Sequence, residues 1–316
     1  MNKRLILLPL MLMSTCWMPA GADEKRIDRL IDVGGYRLRL HCIGQGSPAV
    51  IMDHGLGSSS NDWKRVQSNL SQTTQACTYD RAGYGQSDAG PMPRVSGRIA
   101  AELRTLLQRA DIAAPYVLVG HSFGGYNMRM FAGLFPEQTA GLVLVDTPNE
   151  GQVDGFFENQ IMRQIDPLGL LKWVWTPDLF NSLTEIDLTP VAPLIGFPAK
   201  TLQAILAELA GFKDSSQELR TADVYGETPL VIIMHGLRVL PNGTLGDDME
   251  QEWMRLQREF SSQYRNSTFI VAPQSGHNVP LNQPGLVAEA IKRLIGNPAS
   301  SANRHPTARE PAPIEN

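Results

Sequence analysis

Apolar residues along the chain gather into short, nearly continuous runs, and the segments between those runs carry apolar residues at helical spacing. Ala49-Val50-Ile51-Met52-Asp53, Ala76-Cys77-Thr78-Tyr79, Tyr116-Val117-Leu118-Val119-Gly120, Gly141-Leu142-Val143-Leu144-Val145-Asp146, Pro229-Leu230-Val231-Ile232-Ile233-Met234 and Ser267-Thr268-Phe269-Ile270-Val271-Ala272 read as strands buried on both faces. A helix is predicted over 95–110, where Ile99, Leu103, Leu106 and Leu107 share one face. Others are predicted over 126–135, closed by Pro136, over 249–264 and over 285–295. Strands that alternate with helices in this way predict a largely parallel α/β sheet covered on both faces. Before them, two alternating stretches flank Gly34-Gly35, from Ile31 and through Tyr36 to Ile43, and predict an antiparallel hairpin.

The alternation breaks over 147–226, where the pattern is helical over 156–165, 168–175 and 199–209, divided by Pro167, Pro177, Pro190, Pro193 and Pro198, with no strand pattern. This predicts a helical insertion between two parts of one core, 23–146 and 227–296. Phe156, Phe157, Trp173, Trp175, Phe180, Phe197 and Phe212 concentrate aromatic surface there. Most of these rings are expected to form the insertion's own core, and the remainder to line an apolar site. After 296 the chain is rich in Pro, Ser, Ala and Asn, and residues 297–316 are expected to be a disordered tail.

The first 22 residues read as a targeting segment. Lys3-Arg4 precede an apolar run from Leu5 to Met13, and Ala20-Gly21-Ala22 offers a small-x-small cleavage site before a charged stretch. The run is too short for a bilayer anchor, so a cleaved signal peptide, no membrane span in the mature chain and a secreted or periplasmic location are expected. Thr15 before Cys16 disfavours a lipoprotein reading. Cleavage leaves Cys42 and Cys77, a disulfide candidate in an oxidising compartment or else two small buried residues. A net charge of −4 and 19% charged residues provide no basic field, so nucleic acid is not an expected partner. No His/Cys/Asp spacing suggests a metal, no dinucleotide or P-loop fingerprint is present, and no cofactor is expected. Oligomeric state is left open.

The chemistry centres on Gly120-His121-Ser122-Phe123-Gly124, where strand gives way to helix. The flanking glycines permit a sharp turn that exposes the Ser122 hydroxyl, and the helix N-terminus points amides at developing negative charge. A Gly-flanked serine is also an ordinary turn, so its partners decide. Of the six histidines, His41 lies in an early strand, His54 opens a Gly-rich loop, His121 sits beside the serine, His235 ends a strand and His305 lies in the tail. His277 alone follows the last strand on a loop, at the carboxyl end of the sheet where sites form.

Together with His54-Gly55-Leu56-Gly57, Tyr79-Asp80-Arg81-Ala82-Gly83-Tyr84-Gly85-Gln86-Ser87-Asp88 and Ser275-Gly276-His277, the elbow and the strand ending at Asp146 resemble the α/β-hydrolase superfamily over about 30–296. The resemblance implies an eight-stranded, mostly parallel sheet with a helical cap inserted after strand six. It also implies that strands two and four are neighbours, which would bring Cys42 and Cys77 together as a cross-strand disulfide. The roles it implies are Ser122 as nucleophile, His277 as general base and the backbone N–H groups of Leu56 and Phe123 as oxyanion donors. The usual acid position after strand seven is empty, since 235–242 holds no carboxylate. Asp146, matching an alternative acid position, is favoured over Asp248 and Asp247, which read equally well as helix N-caps. Asp80 and Arg81 are assigned to turn structure behind the oxyanion loop. An ester or related acyl substrate with an apolar part is expected. Related dehalogenases and epoxide hydrolases use an aspartate nucleophile, so Ser122 argues against both. Acyl transfer, perhydrolysis and a binding protein that holds an apolar ligand are the alternatives.

Overall fold

Extended segments pair into one eight-stranded sheet. They are β1 (Ile27–Asp32), β2 (Arg37–Ile43), β3 (Ala49–Asp53), β4 (Ala76–Tyr79), β5 (Tyr116–His121), β6 (Thr139–Val145), β7 (Leu230–His235) and β8 (Ser267–Ala272). The computed structural model describes residues 26–152, 186–190, 192–222, 227–240 and 242–296. The expected leader with Cys16, the tail with His305, the helices expected over 156–165 and 168–175, and Phe156, Phe157, Trp173, Trp175 and Phe180 lie outside the described residues. Strand order is β1-β2-β4-β3-β5-β6-β7-β8, with β2 antiparallel to β1 and β4 and all other neighbours parallel.

Each central strand feeds two cores, which is why its sequence reads as an unbroken apolar run. Ile51, Leu118, Leu142, Leu144 and Ile232 face one side and pack with α2 (Ser96–Arg109) and α3 (Phe123–Leu134). Val50, Met52, Val117, Val119, Val143 and Val145 face the other and pack with α1 (Lys64–Leu70) and a closing helix, Pro284–Gly296. Between β6 and β7 in sequence, the described residues include helices α4 (Ala199–Ala210) and α5 (Phe212–Thr221). After β7 comes α6 (Thr244–Ser262).

Three elements depart from the sequence pattern. β1 begins at Ile27, not near Ile31, because it is an edge strand whose charged, mostly exposed residues mask the alternation; Arg39 on β2 bonds Asp28 on it. Helix α5 is polar overall, with only Phe212 and Leu219 apolar and no continuous apolar face to mark it. Its side chains dock it instead, with Ser215 Oγ accepting the Ser96 N–H (3.0 Å) and Glu218 accepting the Gly97 N–H (2.8 Å), which satisfies the first turn of α2. Helix α6 starts at Thr244, following Gly243 with φ of +128°, well before the expected 249. Asp247 and Asp248 therefore lie inside its first turns and are not its N-caps.

Cys42 and Cys77 stand opposite one another across β2 and β4, with Cα atoms 4.0 Å apart, and are joined by a disulfide. A second tie is ionic. Arg81 is fully buried, and its guanidinium donates to Asp53 Oδ1 (2.6 Å), the His54 carbonyl (2.6 Å) and both oxygens of Glu208 on α4 (2.7 and 2.9 Å). Tyr84 donates to Glu208 (2.7 Å), and Asn127 of α3 donates to Asp53 Oδ2 (2.8 Å). Thus α4 is fastened to the turn after β4 and, through Arg81, to the loop after β3.

Two stability measurements follow from these ties. Replacing Cys42 and Cys77 together with alanine removes a cross-link spanning 35 residues, and is expected to lower the unfolding free energy by about 2–4 kcal/mol in urea; equal midpoints for the oxidised protein and the double variant would contradict it. Arg81→Met leaves Asp53 and Glu208 buried without their cation and is expected to cost about 3–5 kcal/mol, read in the same assay.

Candidate active site

The chain turns from β5 into α3 at Ser122, whose backbone takes φ of 51° and ψ of −125°. Such a conformation costs a non-glycine residue on the order of 1–3 kcal/mol and persists only where its surroundings impose it. They do so by contact. A Cβ on Gly120 would come within 2.4 Å of Gly125 Cα, one on Gly124 within 2.6 Å of the Asp53 carbonyl oxygen, and one on Gly125 within 2.0 Å of Thr147 Oγ1. The glycines thus supply room for close approach, while the serine itself carries the left-handed φ. The Ser122 N–H donates to the Val145 carbonyl (3.0 Å), locking the turn to the end of β6.

The Gly-rich loop after β3 lies against this turn, because a Cβ on Gly55 would stand 3.2 Å from Ser122 Cβ. Leu56 follows Gly55 in this loop, and Phe123 follows Ser122 as the first residue of α3. Neither of their N–H groups is engaged by a backbone carbonyl among the described residues. Arg81 holds the loop from behind through the His54 and Gly55 carbonyls. Phe123 stacks with Tyr126 and meets Phe212 of α5 at 5.7 Å between ring centroids, which assigns Phe212 to packing.

His277 follows β8 on a loop tied to the loop after β7, where Gly236 and Leu237 donate to the Ser275 carbonyl (3.0 and 2.9 Å). His121 Nε2 donates to the His277 carbonyl (2.8 Å), so the histidine beside the serine anchors the backbone of the one across from it. Burial, with His277 nearby, depresses the His121 pKa to about 4, leaving that ring neutral. His277 Nδ1 lies 2.7 Å from Asp146 Oδ2, with the carboxylate sealed from solvent and the imidazole partly open. The structure therefore joins His277 to Asp146. It does not bring Asp247 or Asp248 to either: Asp247 is exposed and paired with Arg238, and Asp248 is exposed on α6.

Asp146 has a further partner that the sequence did not reveal. Its Oδ1 accepts the backbone N–H of His235 (3.1 Å) and lies 2.6 Å from His235 Nδ1, while His235 Nε2 lies 2.8 Å from Glu250 Oε2 on α6. Glu250 Oε1 accepts the Val239 and Leu240 N–H groups (2.6 and 2.7 Å). Burial pushes the Asp146 carboxyl up, but hydrogen bonds and charge from His235 and His277 outweigh it and hold the carboxyl below its usual range. Burial disfavours a charged His235, yet Asp146 and Glu250 overcome this and raise its pKa. Burial likewise works against an ionised Glu250, and His235 with the two amides lowers its pKa on balance. The available signal was positional: His235 ends β7 beside Asp146 at the end of β6, once those strands are known to be neighbours. Among the described residues no group of three or more His, Cys, Asp or Glu could hold a metal ion.

The profile of a family described as "Alpha/beta hydrolase family" matches residues 50–290. The protein YqjL of Bacillus subtilis (strain 168) is 28% identical over 252 residues, covering 79% of this chain and 85% of its own length. Other curated relatives are longer, and the chain spans 18% and 33% of two of them. Among solved structures, a haloalkane dehalogenase loop variant from Bradyrhizobium elkanii superposes with a TM-score of 0.64 at 15% identity, covering 88% of this chain and 99% of that one. A thermophilic esterase from Thermogutta terrifontis gives 0.56 at 20% identity, covering 86% and 98%. At such identities these two likenesses speak for the fold alone. With the profile spanning most of the length and the sheet, elbow and loops in the order described, the chain belongs to the alpha/beta hydrolase family.

Proposed function

We propose that the protein is a serine hydrolase that cleaves a carboxylic ester or related acyl bond through an acyl-enzyme. The observation that carries this reading is the 2.7 Å contact between His277 Nδ1 and the buried Asp146, with the His277 backbone tied to His121, the neighbour of a serine held at left-handed φ. Asp146 fixes the imidazole with Nδ1 protonated and stabilises its charged form, leaving Nε2 to take the Ser122 proton. Ser122 Oγ attacks the acyl carbon, the oxyanion is received by the Leu56 and Phe123 N–H groups, and His277 returns the proton to the leaving group. Water then repeats the sequence on the acyl-enzyme. The described helices of the insertion, α4 and α5, are read as part of a cap, and an apolar portion of the substrate is expected against it. The Cys42–Cys77 disulfide supports a secreted or periplasmic location.

Labelling with a fluorophosphonate tests serine activation without knowledge of the substrate. Wild type is expected to label and Ser122→Ala to remain unlabelled. Asp146→Asn is expected to label on the order of 10⁴-fold more slowly, because the imidazole loses the partner that sets its tautomer. Asp247→Asn and Asp248→Asn are expected to match wild type. A folded wild type that never labels would refute the hydrolase reading and turn attention to ligand binding.

A further inference from the structure

We propose that His235 is a positioning residue, clamped as an imidazolium between Asp146 and Glu250, that orients the acid against His277 and offsets one of the two carboxylate charges behind it. This rests on the hydrolase reading above. The geometry is explicit about protons. Each His235 ring nitrogen lies within hydrogen-bond distance of a carboxylate oxygen, 2.6 Å to Asp146 and 2.8 Å to Glu250. An ionised carboxylate can only accept, so both nitrogens must donate and the ring is a cation. The ring is nearly buried and packs edge-on against Trp253 with centroids 4.9 Å apart, so its charge is answered by those two groups and not by water.

Two consequences follow for Asp146. A carboxylate turns easily about its terminal torsion, but the His235 N–H and ring hold Oδ1 and leave Oδ2 for His277. The charge is also set. A cation against Asp146 alone would cancel the acid, whereas Glu250 restores one net negative charge behind His277, the amount a lone triad aspartate supplies. Glu250 is itself held by the Val239 and Leu240 amides, so the relay ends on backbone. The titratable groups facing His235 are Asp146 from the end of β6, Glu250 from α6 and, through Asp146, His277 beyond β8. Trp253 on α6 and Ala272, its register partner on β8, carry no charge.

The test measures fluorophosphonate labelling rate against pH for wild type, His235→Asn and the double variant His235→Asn/Glu250→Gln, with melting curves for each. Asparagine keeps a neutral donor for Asp146 but leaves two carboxylates uncompensated, so the acid limb of the profile is expected to move upward by about one pH unit. The double variant returns to one net negative charge, and its limb is expected to move back toward wild type. A His235→Asn rate that falls at every pH with the limb in place would mean a structural role only and overturn the proposal. Ring-nitrogen NMR of wild type supplies a readout free of variants and of activity: His235 is expected to stay doubly protonated through neutral pH, and a neutral His235 there would overturn the proposal alone. A cationic His235 with an unreactive Ser122 would instead overturn it through the hydrolase reading on which it rests.

Discussion

A carboxylate sealed at the end of a parallel strand must have its charge answered by fixed donors, and Asp146 sets that demand here. The residue is buried, takes φ of 47°, and is placed by its own N–H bonding to the Ile233 carbonyl of β7. Water cannot serve it, since burial without partners would cost several kcal/mol and drive the group to neutrality. Three donors converge instead: the His235 amide, the His235 ring and the His277 ring. Meeting that demand constrains the next two strands. β7 has to end in a donor, and the loop after β8 has to return across the sheet end, where His121 and the loop after β7 hold it.

Much of this was legible in the sequence for a physical reason. Strands buried on both faces cannot hide, because both faces must be apolar, and β3 and β4 stand on their sequence runs to the residue. The turn at Ser122 and the loop carrying His277 were legible because each follows a strand end beside residues of special shape. Elements held by polar contacts were not. β1 is an edge strand of charged residues, and the docked face of α5 is largely Ser215, Ser216 and Glu218 rather than apolar, so neither shows a run of apolar residues. His235 was passed over because a histidine at a strand end says nothing of its partners. Its role depends on Glu250, fifteen residues on and nearly two turns into α6, and no local pattern couples the two. The early start of α6 had the same origin, since Gly243 and Gly246 read as loop although the first lies outside the helix and the second inside it.

The site stands between two buried charge networks of similar design. Behind the Leu56 loop, Arg81 is held by Asp53 and by Glu208 of α4; behind His277, His235 is held by Asp146 and by Glu250 of α6. Each places one cation between two carboxylates. One carboxylate comes from the carboxyl end of a central strand and the other from a helix, α4 of the insertion in one case and α6 of the β7–β8 crossover in the other. Neither arrangement is an economical source of stability, because desolvating such groups costs about what their attraction returns. What they supply is definition: each fixes a backbone or a carboxylate that must be correctly aimed before any reaction.

That difference bears on how the segment between β6 and β7 can move. Besides Glu208, α4 sends Lys200 to the Gly85 and Ser87 carbonyls and Thr201 to the Gly83 carbonyl. Gly83, at φ of +88°, admits the helix so closely that a Cβ there would stand 2.5 Å from Ala204 Cβ. Swinging α4 away would strip Arg81 of one counter-ion and release the turn after β4, so this end of the insertion behaves as part of the scaffold. Because the same guanidinium also grips the His54 and Gly55 carbonyls, the position of α4 and the aim of the Leu56 amide are parts of one rigid arrangement.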